Sequence, residues 1–214
     1  MLQKQMRTAR TVLIPKNLKS TMKNYKIVTT PDPILIQKAK PVKKFDKKLT
    51  DIISGMEDAL KKTYDPVGVG LAAPQVGLPL QIFQMRPEPT DPIQTFINPR
   101  IEKTSEEINI LTKKNSETVE KRKPKKGKLL EGCLSIPTIW GYVKRNKEVT
   151  LSWQDPKGTH HKKTFKGFNA VIIQHEYDHL QGVLFTKHVM EQGNQMYKSH
   201  KDESGEDVFE EINI

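Results

Sequence analysis

In the stretch Gln174-His175-Glu176-Tyr177-Asp178-His179-Leu180-Gln181-Gly182, two histidines stand four residues apart and a glutamate directly follows the first. On a helix that step stacks both imidazoles on one face, where they can hold one metal ion, and sets Glu176 beside it. Ala170, Val171, Ile172 and Ile173 make the preceding turn apolar nearly all round, as expected of a buried helix, and Gly182 can close it in the left-handed conformation. Burying two neutral imidazoles and a carboxylate is costly unless they share a partner, and a metal ion with a bound water is such a partner. The competing reading is a surface helix without chemistry; the apolar N-terminal half argues against it. Two imidazoles do not complete a site, so a third ligand must come from elsewhere.

The chain of 214 residues suits one domain with extensions. Its net charge of +11 suggests nucleic acid until the charges are located. Residues 1–31 carry seven basic groups and no acid, and residues 112–128 carry eight against Glu117 and Glu120; everything else sums to about −2. The basicity belongs to an arm and an insertion, so no specific nucleic-acid face is expected on the domain. One cysteine, Cys133, excludes an internal disulfide framework, and no run approaches the length of a membrane span. Residues 1–24 form a basic N-terminal arm whose composition matches either the remnant of an organelle transit peptide or a disordered basic arm.

After the arm, Tyr25 to Val28 reads as a short strand and Pro31-Asp32-Pro33 as a turn. Leu49, Ile52, Ile53, Met56 and Leu60 recur at helical spacing, predicting an amphipathic helix over 47–62 whose stripe is core. The small-residue stretch Gly68-Val69-Gly70-Leu71-Ala72-Ala73-Pro74-Gln75 lacks the Lys-Ser/Thr of a phosphate loop; it permits close approach of another backbone, with the Gln75 amide at the edge. Leu80–Met85 and Thr95–Asn98 read as strands, and the polar segment 102–128 as a disordered or loosely attached insertion. Glu148–Trp153 and His160–Phe165 alternate around Asp155-Pro156-Lys157-Gly158, a hairpin signal; His160 and His161 face opposite ways and are read as solvated. Val183-Leu184-Phe185 reads as a further strand, and 191–214 as a polar tail ending in acid.

Glu131-Gly132-Cys133-Leu134-Ser135 holds the only cysteine. A lone cysteine is often a small buried hydrophobe. Taken with His175 and His179, however, it gives three ligands and leaves a fourth position open for water, the arrangement of a catalytic site. A thiolate with two imidazoles suits zinc or iron(II). The bound water could act as nucleophile near neutral pH, with Glu176 carrying its proton to the leaving group, which points to hydrolysis of an amide-like bond.

The segments beginning at Gly68, Glu131 and Gln174 together resemble the three signature motifs of peptide deformylases, in the family's order, and the likeness runs from about Tyr25 to about His188. The resemblance implies an α+β fold with small antiparallel sheets around a central helix carrying the two histidines, and a catalytic domain over 25–190. It implies removal of the N-formyl group from the initiator methionine of new polypeptides. Cys133, His175 and His179 would bind the metal, Glu176 would be the general acid and base, and Gln75 with the backbone amide of Leu134 would stabilise the oxyanion. Gly70 would meet the substrate backbone, and Val69, Val171 and Ile172 would line the methionine pocket. The family implies Fe2+ in the cell, with Zn2+, Co2+ or Ni2+ in purified protein.

The basic arm, the insertion and the short acidic end after His188 depart from the usual pattern. The acidic end puts ribosome contact in doubt, and the arm with the insertion favours an organelle of a eukaryote, plastid-type or mitochondrial, over a bacterial cytoplasm. The sequence leaves the oligomeric state open. Two rival readings are a metalloprotease, which shares the two-histidine pattern but usually draws its third ligand from downstream, and an RNA-binding module built on the basic segments.

Overall fold

A computed structural model describes residues 24–109 and 130–212. Its two longer helices are α1 (Lys47–Lys61) and α2 (Gly167–Leu180), and a short α3 spans Phe185–Glu191. The strands are β1 (Gly70–Ala72), β2 (Ile82–Met85), β3 (Gln94–Thr104), β4 (Ile108–Asn109), β5 (Glu131–Cys133), β6 (Ile136–Gly141), β7 (Arg145–Asn146), β8 (Glu148–Gln154), β9 (His160–Lys166), β10 (Met196–Lys201) and β11 (Asp207–Ile212). They form antiparallel sheets in the orders β1-β2-β3-β8-β9, β11-β10-β6-β5 and β4-β7. This is the expected α+β arrangement of small antiparallel sheets with α2 at the centre.

The residue patterns explain the layers. β8 buries Val149, Leu151 and Trp153 and turns the alternate residues outward, as a strand with one covered face should. β2 is buried throughout because it is covered on both faces. Phe83 and Met85 pack towards Ile172 and Ile173 of α2, whereas Ile82 joins Leu49, Ile53, Met56 and Leu60 of α1. α1 starts where expected, with Asp46 accepting from the Leu49 amide at 3.1 Å. Cys133, Ile136 and Val143 pack with Phe185 and Val189 of α3 under the second sheet.

α2 ends in a Schellman closure. The Val183 amide donates to the Asp178 carbonyl and the Gly182 amide to that of His179, with Gly182 at φ 72°. A Cβ on Gly182 would lie 2.5 Å from the backbone oxygen of Ile36. Left-handed strain and a clash with main chain that has nowhere to go act together, so Gly182→Ala is expected to cost about 2–4 kcal/mol of stability, read by denaturant unfolding. A loss under about 0.5 kcal/mol, the scale of a neutral surface change, would show that the closure does not anchor α2.

Several sequence expectations are corrected. Tyr25 to Val28 joins no sheet; it is extended chain pinned by single bonds, Val28 N–H to the Gln75 carbonyl at 2.8 Å among them. β3 runs on to Thr104 and Ile108–Asn109 pairs with β7, so the polar segment starting at 102 is ordered at first, held by main-chain pairing with β8 and β7. The rest of the segment, 110–128, and the arm over 1–23 lie outside the described residues. Val183 to Phe185 is not a strand, because the turn at Gly182 delivers Phe185 into α3 with its ring fully buried. In place of a flexible acidic tail, 196–212 is a hairpin added to β6. Its acids are accommodated by cross-strand pairing, Glu210 opposite Lys198 and Asp207 opposite Lys201, while Met196 and Ile212 pack inward and Phe209 meets the Trp140 ring edge-on at 5.8 Å.

Candidate active site

α2 brings His175 and His179 to one side with ring centroids 5.1 Å apart, and β5 sets Cys133 against them, Sγ lying 3.2 Å from His179 Nε2. One ligand atom from each residue can be chosen so that all three lie within 4.8 Å of one another. Donors that converge this closely, one sulfur and two ring nitrogens, suit a single transition-metal ion with bonds of roughly 2.0–2.3 Å. Burial disfavours the Cys133 thiolate, but the His179 and His175 rings outweigh it and bring the thiol down to about 5. The His175 ring is disfavoured in its charged form by burial, yet the thiolate and Glu131 push its pKa well up. A divalent ion would take over from those protons as the positive partner of the thiolate.

Glu176 is buried beside the cluster, and its Oε2 has no hydrogen-bond partner among the described residues; nor has Nδ1 of His179. Burial raises the Glu176 carboxyl to about 7, with the two imidazoles drawing it down and Cys133 and Glu131 pushing it up. A buried carboxylate poised near neutrality can both take and return a proton. Gln75 is fixed by its own oxygen, which accepts from the Ala72 amide at 2.8 Å; its amide nitrogen points at Cys133 Sγ (3.5 Å) and Ser135 Oγ (3.2 Å).

These groups open into a cleft of about 670 Å³. Val69, Gly70, Gln75, Cys133, Leu134, Val171, Ile172, His175 and Glu176 all line it. His179 is 1% exposed and sits behind the cysteine. β1 is an edge strand of the large sheet and carries Gly70 onto the cleft wall. The fold thus brings together the three candidate metal ligands, Glu176, Gln75, Leu134, Gly70 and the expected pocket residues Val69, Val171 and Ile172. His160 and His161 lie apart from the cleft lining, exposed on β9, with His161 paired to Asp155.

Sequence reasoning missed the support behind His175. Its Nδ1 lies 3.0 Å from Glu131 Oε2, and Glu131 is gripped by Arg145 through two parallel bonds, Nε to Oε1 and Nη2 to Oε2, both 2.9 Å. Arg145 also donates to Asp178, which His188 approaches at 3.0 Å. Burial raises the Glu131 carboxyl, but Arg145 and His175 outweigh it and hold it at about 2. Such a partner fixes the ring's orientation and tautomer. Arg145 stands twelve residues from the cysteine in a strand of two, so nothing local marked it.

Residues 24–195 match the family described as polypeptide deformylase. The chain is 35% identical over 185 residues to the peptide deformylase of Novosphingobium aromaticivorans, covering 76% of this chain and 87% of that protein. It is 36% identical over 170 residues to the chloroplastic/mitochondrial peptide deformylase 1B of Arabidopsis thaliana, covering 78% of this chain and 55% of the relative. The crystal structure of the Thermotoga maritima peptide deformylase superposes with a TM-score of 0.64 at 34% identity, covering 77% of this chain and 96% of that one.

Proposed function

The chain belongs to the peptide deformylase family, metal-dependent hydrolases that remove the N-formyl group from newly made polypeptides, and from that premise we propose how its own residues divide the work. Cys133, His175 and His179 hold the ion, whose chemistry when bound is to lower the pKa of water and polarise the formyl carbonyl. Glu176 removes a proton from the attacking water and delivers it to the departing amine. The Gln75 side-chain amide and the Leu134 backbone N–H donate to the oxyanion as the carbonyl becomes tetrahedral. β1 takes the substrate main chain along its free edge at Gly70, which reads backbone and tolerates many sequences. Val69, Val171 and Ile172 receive the methionine side chain. The observation that carries this reading is the convergence of a thiol and two imidazoles within 4.8 Å beside the buried Glu176.

Iron(II) is the proposed ion in the cell, from the family likeness; the thiolate and two imidazoles suit either iron(II) or zinc. An organelle location is proposed from the basic composition of residues 1–24 and the likeness to the chloroplastic/mitochondrial relative. The catalytic domain is taken to begin near residue 25. Protein prepared anaerobically is expected to release formate from formyl-Met-Ala-Ser, to stop on chelation and to recover with added iron(II). Cleavage of internal peptide bonds without formate would overturn the reading.

Gly70 gives a sharper check. A Cβ there would lie 2.3 Å from Glu176 Oε1 and 2.7 Å from Cδ, so the carboxylate must move. A displacement of about 1 Å can cost on the order of 10²-fold, and Gly70→Ala is expected to lower kcat on that scale with the metal retained. Wild-type kcat in this variant would mean that the position of Glu176 does not matter.

A further inference from the structure

We infer that the β10–β11 hairpin, which lies beyond the 24–195 family match, forms the wall of the substrate site that contacts the chain downstream of the formyl-methionine. This rests on the deformylase reading of the site. The cleft that holds Cys133, His175 and Glu176 does not stop at the methionine pocket; it continues without a break to Ser199, His200, Lys201 and Asp207 of the hairpin. Tyr64, Asp65 and Val67, on the segment that leads into β1, line the same cleft.

The hairpin is bound to the site and not merely near it. β10 pairs with β6, Tyr197 opposite Trp140 and Lys198 opposite Ile139. The Trp140 indole N–H donates to Ser199 Oγ at 2.9 Å, and Ser199 in turn reaches the Thr138 carbonyl at 3.4 Å. Trp140 and Thr138 both line the cleft, and Thr138 sits at φ 65°, a conformation a β-branched residue adopts only when its surroundings enforce it. Lys201 Nζ reaches Asp65 Oδ2, on the segment that leads into β1, at 3.4 Å and Asp207 Oδ1, within the hairpin, at 2.9 Å.

The occupant follows from continuity. A substrate whose formyl carbon lies at the cluster and whose main chain runs along β1 has its following residues directed through the rest of the same cleft. The Lys201–Asp65 pair is solvent-exposed, 47% and 70%, so it can part as a peptide passes and contributes little when closed. The downstream chain therefore gains affinity from the hairpin, while a formyl-Met dipeptide is too short to reach it.

The test compares formyl-Met-Ala with formyl-Met-Ala-Ser-Lys on the same preparation, so that any misfolded fraction cancels in the ratio. The wild-type enzyme is expected to favour the longer peptide through KM. Lys201→Glu, which repels Asp65 and Asp207, and Ser199→Ala, which removes the side-chain bonds to the Trp140 indole and the Thr138 carbonyl but leaves the β10–β6 main-chain pairing, are each expected to cut that advantage about three- to fivefold, mainly in KM. Equal loss on both peptides, an unchanged ratio, or a wild-type enzyme indifferent to length would overturn the inference. Absence of formate release from any formyl-Met peptide by the wild type would instead overturn the functional reading on which it rests.

Discussion

Glu176→Gln is expected to lower kcat for formate release by roughly 10²- to 10⁴-fold, the usual worth of a positioned general acid and base, while metal content stays at the wild-type level. The substitution keeps the shape that fits against Gly70 but leaves a group that cannot exchange a proton. Glu176 is not among the three converging donors, so the ion should remain. Its buried Oε2 has no partner to lose, so fold stability should change little. Steady-state kinetics with metal analysis and a melting curve separate these outcomes. A kcat within tenfold of wild type would remove Glu176 from proton transfer, and loss of the metal would make it a ligand.

Arg145→Ala is expected to cost about 3–5 kcal/mol of stability, because it strands Glu131 and Asp178 as two largely buried carboxylates without their shared cation. The damage should reach the metal as well: without Arg145, Glu131 no longer holds the His175 ring, and affinity is expected to fall about 10- to 100-fold. Urea unfolding in the apo and metal-loaded forms measures both. Arg145→Lys should recover part of the stability and little of the metal affinity, since an ammonium keeps the charge but cannot form the two parallel bonds to Glu131. An apo form that loses under about 1 kcal/mol, as an exposed ion pair would, sinks the argument.

α1 and the β8–β9 hairpin were legible because each is built on a repeated local signal: an apolar stripe at helical spacing, or alternation around an Asp-Pro-Lys-Gly turn. The acidic end was misread because its signal is not local. Glu210 and Asp207 look like a solvated tail until lysines of β10 stand opposite them, and Phe209 appears isolated until Trp140 meets its edge. Val183 to Phe185 failed for a related reason: three apolar residues fit a strand or a buried helix start equally well, and the left-handed turn at Gly182 decided between them.

By itself, the sequence determined the chemistry available: the four-residue step of His175 and His179, the glutamate between them, the single cysteine and the small-residue stretch before Gln75. Those are covalent facts about residue type and spacing, and they carried the family likeness as well. Only the tertiary structure decided what stands behind and beyond that chemistry. Arg145 reaches Glu131 and Asp178 from another strand, the Gly70 main chain closes on Glu176, and the hairpin over 196–212 extends the cleft. Each depends on groups far apart along the chain whose proximity is set by strand register and packing, which no local pattern encodes.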